Sequence, residues 1–210
     1  MWIQLLQPKI ISNNGKSSKY NAGDWVDVGK QTALLWLSDN SAHLPDMVES
    51  GFNLNGAGIL TDHKELLCTR LKEQAKGIDI LEGAPCLPFE KTILMDSALP
   101  LRASLIPVGI SMLETWEIAV PLMDYKIMAI NLGTDTEREQ TKAVIRDLRV
   151  PVYDTRLMFV KRTQDTERLI DNWRNAGKSP LAFLRELYKI KPFILALPCT
   201  WTTGTPSKND

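Results

Sequence analysis

The acidic side chains that follow short apolar runs are the groups in this sequence best placed for chemistry. Lys91-Thr92-Ile93-Leu94-Met95-Asp96 reads as a strand that ends in a carboxylate, where an acid can cap a neighbouring loop. Asp62 follows the apolar run Ala57-Gly58-Ile59-Leu60 and can cap the helix behind it, with Glu65 at the third helical position as in a capping box. Asp154 stands two residues before Arg156, close enough to pair with it and hold a loop. Other chemistries lack their residues. Cys68, Cys86 and Cys199 are odd in number and far apart, without a CxxC or Cys/His ligand spacing, so neither a disulfide framework nor a zinc site is indicated. They are expected to be buried free thiols of a reducing compartment. His43 and His63 lie near no nucleophile in the sequence and are expected to be surface or hydrogen-bonded residues. Neither GxGxxG, GxxxxGK[ST] nor GxSxG occurs.

The overall balance narrows the partners. With 25 basic and 25 acidic residues the formal net charge is zero, which argues against direct nucleic-acid binding driven by phosphate contacts. A hydrophobic content of 44% supports a sizeable core. No apolar run approaches about 18 residues, so neither a transmembrane helix nor a membrane partner is expected. The N-terminus lacks a basic region and a small-residue cleavage site. The expected location is a virion or the cytoplasm of a host cell.

Two regions must position these residues. Residues 1–46 read as a small β-rich module. Ile3, Leu5, Ile10 and Ile11 mark short strands, Asn13-Asn14-Gly15 and Ala22-Gly23-Asp24 mark turns, and Trp25-Val26-Asp27-Val28 alternates as a half-buried strand does. Lys30 to Ser38 carries Ala33, Leu34 and Leu37 at helical spacing. A unit this small must bury its apolar face on the rest of the chain or on a partner. Pro45 ends it, and residues 47–56, rich in Gly and Asn, read as a linker.

Residues 57–201 alternate strands with helices, the pattern of an α/β domain with a parallel or mixed sheet. Strands are expected at Ala57–Leu60, Ile78–Leu81, Lys91–Asp96, Ile118–Val120, Ile127–Ile130, Val150–Val160 and Phe193–Leu197. Thr134, with Glu137 three residues on, and Thr163 begin helices; Pro180 opens another with Leu181, Leu184, Leu187 and Tyr188 inward. Trp116, Trp173 and Trp201 are expected in the core. Trp201 should close it, leaving 202–210 as a flexible tail.

Two stretches carry resemblances. Tyr20-Asn21-Ala22-Gly23-Asp24-Trp25-Val26-Asp27-Val28, followed by Ala33, Leu34, Leu37 and Ala42, resembles small proteins encoded near the head genes of tailed phages. That resemblance makes Tyr20, Asp24 and Trp25 candidates for docking onto other virion proteins or onto further copies of the chain. Pro88-Phe89-Glu90-Lys91-Thr92-Ile93-Leu94-Met95-Asp96-Ser97 resembles the nucleotide-diphospho-sugar glycosyltransferases of the GT-A fold. Val152 to Arg162, then Thr166, Leu169, Ile170 and Trp173, and finally Pro180 to Leu184 with Leu195 to Trp201, follow that family's order. The resemblance implies a truncated GT-A-like mixed sheet flanked by helices, preceded by the small β-rich module.

What it implies for chemistry is divided. In those enzymes an Asp-x-Asp pair at this strand end binds manganese or magnesium, which neutralises charge on the diphosphate leaving group. Here the triplet is Asp96-Ser97-Ala98, so the second carboxylate is missing. The family's N-x-G is Asp154-Thr155-Arg156, and no histidine follows Trp201. Few residues precede Asp96 for a full nucleotide-binding half. The first expectation is therefore a non-enzymatic structural or interaction protein of a phage virion, at the head or head-tail region, with no cofactor. The alternative is an active, metal-dependent glycosyltransferase using a nucleotide-sugar, with Asp96 as donor or metal ligand and Asp62 or Asp154 as the second carboxylate. A third reading is sugar or nucleotide recognition without turnover, near Asp96 and without metal.

Overall fold

A computed structural model describes residues 2–13, 16–39, 41–43, 56–71, 78–83, 86–99, 105–124 and 126–203. The N-terminal region contains β1 (Trp2–Leu5), β2 (Lys9–Asn13), β3 (Lys16–Tyr20), β4 (Trp25–Asp27), α1 (Lys30–Ser38) and β5 (Ala42–His43). β2 and β3 form an antiparallel hairpin, and β1 lies between β4 and β5 in a three-stranded antiparallel sheet. Pro8 falls after β1, where its missing N–H removes no ladder bond. Gly23, at φ +93°, supplies the left-handed turn into β4, and its N–H donates to Leu5 O at 2.7 Å. The linker at 47–55 lies outside the described residues.

The rest of the chain contributes β6 (Ala57–Thr61), α2 (Lys64–Leu71), β7 (Asp79–Glu82), β8 (Lys91–Met95), α3 (Leu105–Met112), β9 (Ile118–Pro121), α4 (Asp135–Ile145), β10 (Leu157–Lys161), α5 (Gln164–Asn175), α6 (Pro180–Ile190), β11 (Ile194–Leu197) and α7 (Thr200–Thr203). Its six strands run in the order β11-β9-β10-β8-β6-β7. β10 is antiparallel to both β8 and β9, and the other pairings are parallel. The protein is thus α/β, a mixed sheet flanked by helices with a small β region at the N-terminus.

Alternate strand residues divide the core. Ile59, Ile93 and Phe159 join α2 and α3 in one apolar cluster, while Leu60, Leu94, Met158 and Val160 join α5 and α6 in another. The first cluster also takes in Ile3, Leu5, Val26, Ala33, Leu37 and Ala42, so the N-terminal region buries its apolar residues together with α3. Of the two ways to cover that small unit, the structure uses the rest of the chain.

Local signals explain most boundaries. Thr134 and Glu137 cap each other's backbone reciprocally at the start of α4, with N–H to oxygen distances of 3.0 and 3.2 Å. Thr163 caps α5, and Ser179 caps α6 with Pro180 at its first position. Several expectations are corrected. Ile127–Ile130 is not a strand: the Met128 N–H donates to Asn131 Oδ1 at 3.1 Å and a single 3-10 turn, Ala129–Asn131, forms. Of Val150–Val160 only Leu157 onward is strand, with isolated bridges at Pro151 and Tyr153 before it. Tyr188 is 42% exposed rather than inward. Cys68 and Cys86 are exposed and Cys199 is half-buried, so the expected buried thiols are absent. At the C-terminal end Trp201 is 1% exposed and Thr202 2%, so Thr202 belongs to the buried part and not to a flexible tail. Residues 204–210 lie outside the described residues.

Candidate functional site

Strand order creates the site. From β6 the chain passes through α2 to β7 on one side, then returns past β6 to β8 on the other. Open α/β sheets bind ligands outside the carboxyl ends of strands where the order reverses in this way. Asp62 directly follows β6, Gly83 follows β7 and Asp96 follows β8. A cavity of about 500 Å³ lies there, lined by Asp62, Gly83, Asp96, Arg156, Trp173, Arg174 and Lys178 among others. That size is within the usual range of small-molecule pockets, about 300–1,000 Å³.

The basic side chains arrive from two other elements for geometric reasons. β10 runs antiparallel to β8 and starts where β8 ends, with Leu157 opposite Met95. Residues 154–156 therefore lie beside Asp96, whose N–H donates to Arg156 O at 2.8 Å. α5 follows the far end of β10 and runs back over the sheet; its 12 residues span about 18 Å, about the length of a five-residue strand. Its C-terminal turn thus reaches the cleft. Trp173 is buried there, and its Nε1–H donates to Ser179 O at 3.0 Å. The Lys178 N–H returns to Trp173 O at 3.1 Å, which pins the turn carrying Arg174 and Lys178.

The three candidate aspartates have different surroundings. Asp62 does not cap α2. The first-turn N–H of Lys64 is met by Glu82 Oε2 at 3.0 Å, and Asp62 Oδ1 accepts instead from Ser97 N–H at 2.8 Å and Thr61 Oγ1 at 3.1 Å. Burial pushes the Asp62 carboxyl up, but the hydrogen bonds from Ser97 and Thr61 outweigh it and hold the group below the usual range. Asp96 Oδ1 accepts from Ala98 N–H at 2.8 Å, closing a tight turn at the strand end. Asp154 is buried and does not line the cavity. It binds Arg156 bidentately, Nε to Oδ1 at 2.9 Å and Nη2 to Oδ2 at 2.6 Å. Burial raises the Asp154 carboxyl, yet Arg156 and the Thr202 hydroxyl draw it below its ordinary value. Asp154, with a smaller contribution from Asp96, keeps the Arg156 guanidinium still more firmly protonated.

The structure thus brings Asp62 and Asp96 to one cleft and assigns Asp154 to a buried ion pair at its edge. The pairing of Asp154 with Arg156 read from the sequence is present. Arg174 and Lys178 were not singled out by sequence; basic residues on either side of the helix-ending Gly177 were the available signal. Tyr20, Asp24 and Trp25 belong to a different part of the molecule. Tyr20 is half-buried at the end of β3, Asp24 accepts from Asn21 N–H at 2.7 Å in the turn before β4, and Trp25 opens β4.

Asp62 and Asp96 are the two carboxylates that line the cavity. Among the described residues there is no group of three or more His, Cys, Asp or Glu side chains able to hold a metal ion. One oxygen of each cleft carboxylate already accepts backbone hydrogen bonds, and three basic side chains share the cavity. One or two carboxylates hold a magnesium-type cation only together with waters and substrate phosphates, and the basic neighbours oppose a cation held by the protein alone. Comparison of the chain with protein families, curated proteins and solved structures finds no match, and neither resemblance gains support from it.

Proposed function

We propose that this protein recognises a phosphorylated sugar donor of the nucleotide-sugar class in the cleft, without a tightly held metal and without turnover. The observation that carries the reading is the meeting of Asp62 and Asp96 with Arg156, Arg174 and Lys178 at the carboxyl ends of parallel strands. Basic side chains suit phosphate oxygens, and the two carboxylates suit sugar hydroxyls as acceptors. The buried Trp173 gives the cavity an apolar wall of the kind that small-molecule pockets combine with a few polar groups.

Isothermal titration of the full chain with UDP- and GDP-sugars, with and without manganese, tests the reading. Binding that needs no manganese and weakens in Asp96→Ala supports it, and no binding at millimolar donor rejects it. Release of free nucleoside diphosphate from a bound donor would instead favour an active transferase, the reading to which the shared cleft of Asp62 and Asp96 lends its own support. A virion role, drawn from residues 20–28, is a separate proposal. Mass spectrometry of purified particles tests it, and absence of the chain from them removes it.

A further inference from the structure

Three basic side chains, from the loop before β10 and the end of α5, line the cavity that holds Asp62 and Asp96. Arg156 comes from the loop before β10, Arg174 from the last turn of α5, and Lys178 from the turn behind it. Asp154 engages Nε and Nη2 of Arg156, and no hydrogen bond from Nη1 is found among the described residues. Lys178 is exposed and adopts φ +60°, directly after Gly177 at φ +91°. A lysine in the left-handed region costs about 1 kcal/mol relative to glycine. α6 holds a second lysine of the same kind at its C-terminus, Lys191 at φ +59°, which does not line the cavity.

We infer that Arg156, Arg174 and Lys178 form a diphosphate-binding site in which fixed cations supply the positive charge that a divalent metal would otherwise bring. The inference rests on the donor-binding reading above and specifies how the phosphates are held. Arg156 is oriented by its buried partner and offers its remaining guanidinium edge at the strand end. Arg174 and Lys178 line the same cavity on a turn held by the Trp173 Nε1–H bond to Ser179 O and the Lys178 N–H bond to Trp173 O. Fixed cations that need not be gathered on binding lose little entropy when an anion arrives. Their attraction is screened by salt, so affinity must fall as ionic strength rises.

The paired lysines give a matched test. The full chain is titrated with inorganic pyrophosphate in EDTA and again in excess manganese, as wild type, Lys178→Gly, Arg174→Gln and Lys191→Gly. Thermal unfolding is recorded for each. The wild type should bind in EDTA, with weaker binding at higher salt. Lys178→Gly and Lys191→Gly should both be at least as stable as wild type, because each places glycine at a positive φ. Only Lys178→Gly should lose affinity, by about tenfold, and Arg174→Gln should lose a similar factor. A requirement for manganese, wild-type affinity in both cleft variants, or no pyrophosphate binding would each overturn the inference. Parallel titrations with UDP- and GDP-sugars separate the two readings. Sugar-nucleotide binding that depends on manganese and ignores these substitutions removes the cation site but keeps donor recognition. Pyrophosphate binding in EDTA without any sugar-nucleotide binding keeps the cation site and removes donor recognition.

Discussion

Asp62 and Asp96 stand at the same edge of the sheet as Asp154, yet the two halves of that edge treat a carboxylate in opposite ways. At β6 and β8 the strands end on backbone turns, and Asp62 and Asp96 line an open cleft. On the other half, Asp154 is buried between Arg156 and α7, and Trp201 closes the region by packing edge-on against Phe159 with ring centroids 5.7 Å apart. Residue type and strand-end position are alike. What separates a carboxylate that can meet a ligand from one that holds the fold is whether the chain itself supplies the countercharge and excludes water.

The largest expected effect tests the closed half. Trp201→Ala should cost about 3–5 kcal/mol in urea unfolding, because Trp201 is among the largest fully buried side chains. A loss below about 1 kcal/mol would show that α7 does not close the sheet. Asp154→Ala should cost about 2 kcal/mol, less than a fully buried pair because Arg156 is half exposed.

The same residue sets a pH dependence. The folded Asp154 carboxyl lies below its unfolded value, so its contribution is complete above about pH 4 and is lost as pH falls through the folded value. The stability difference between wild type and Asp154→Asn should therefore be constant near neutrality and shrink on acidification. A gap that widened toward low pH would reverse the assignment.

Smaller effects belong to the open half and to backbone strain. Lys178→Gly and Lys191→Gly should each stabilise by about 0.5–1 kcal/mol in thermal unfolding. Asp62→Asn should change stability by about 0.5 kcal/mol, since the side chain is exposed, and should show its main effect in donor titration. If Asp62→Asn cost as much as Asp154→Ala, the contrast between an open and a closed half would be lost.

Much of the architecture was legible from spacing. α1 occupies the expected 30–38, α4 and α5 start at the Thr134 and Thr163 caps, and α6 opens at Pro180, because capping and proline signals are local. α3 was not legible. Leu105 to Met112 is buried on every side and interrupted by Pro107 and Gly109, so it has no polar face to mark a helical period. Gly109 is required by the fold, since a Cβ there would lie 2.2 Å from the Phe159 ring. Ile127–Ile130 misled because a short apolar run fits a strand or a turn equally well, and side-chain bonding from Asn131 selected the turn. Asp62 misled as a helix cap because Ser97, 35 residues on, captures its carboxylate.

Sequence alone determined the alternation of strands and helices, most helix starts and the acidic residues at strand ends, since each depends on a few neighbouring residues. Only the tertiary structure decided which acids share a cleft, that Asp154 is buried beside it, and that Arg174 and Lys178 join Asp62 and Asp96. Those outcomes follow from strand order, the antiparallel insertion of β10 and the return of α5 across the sheet. They gather residues from Asp62 to Lys178 into one cleft, and no local spacing encodes contacts across that much of the chain.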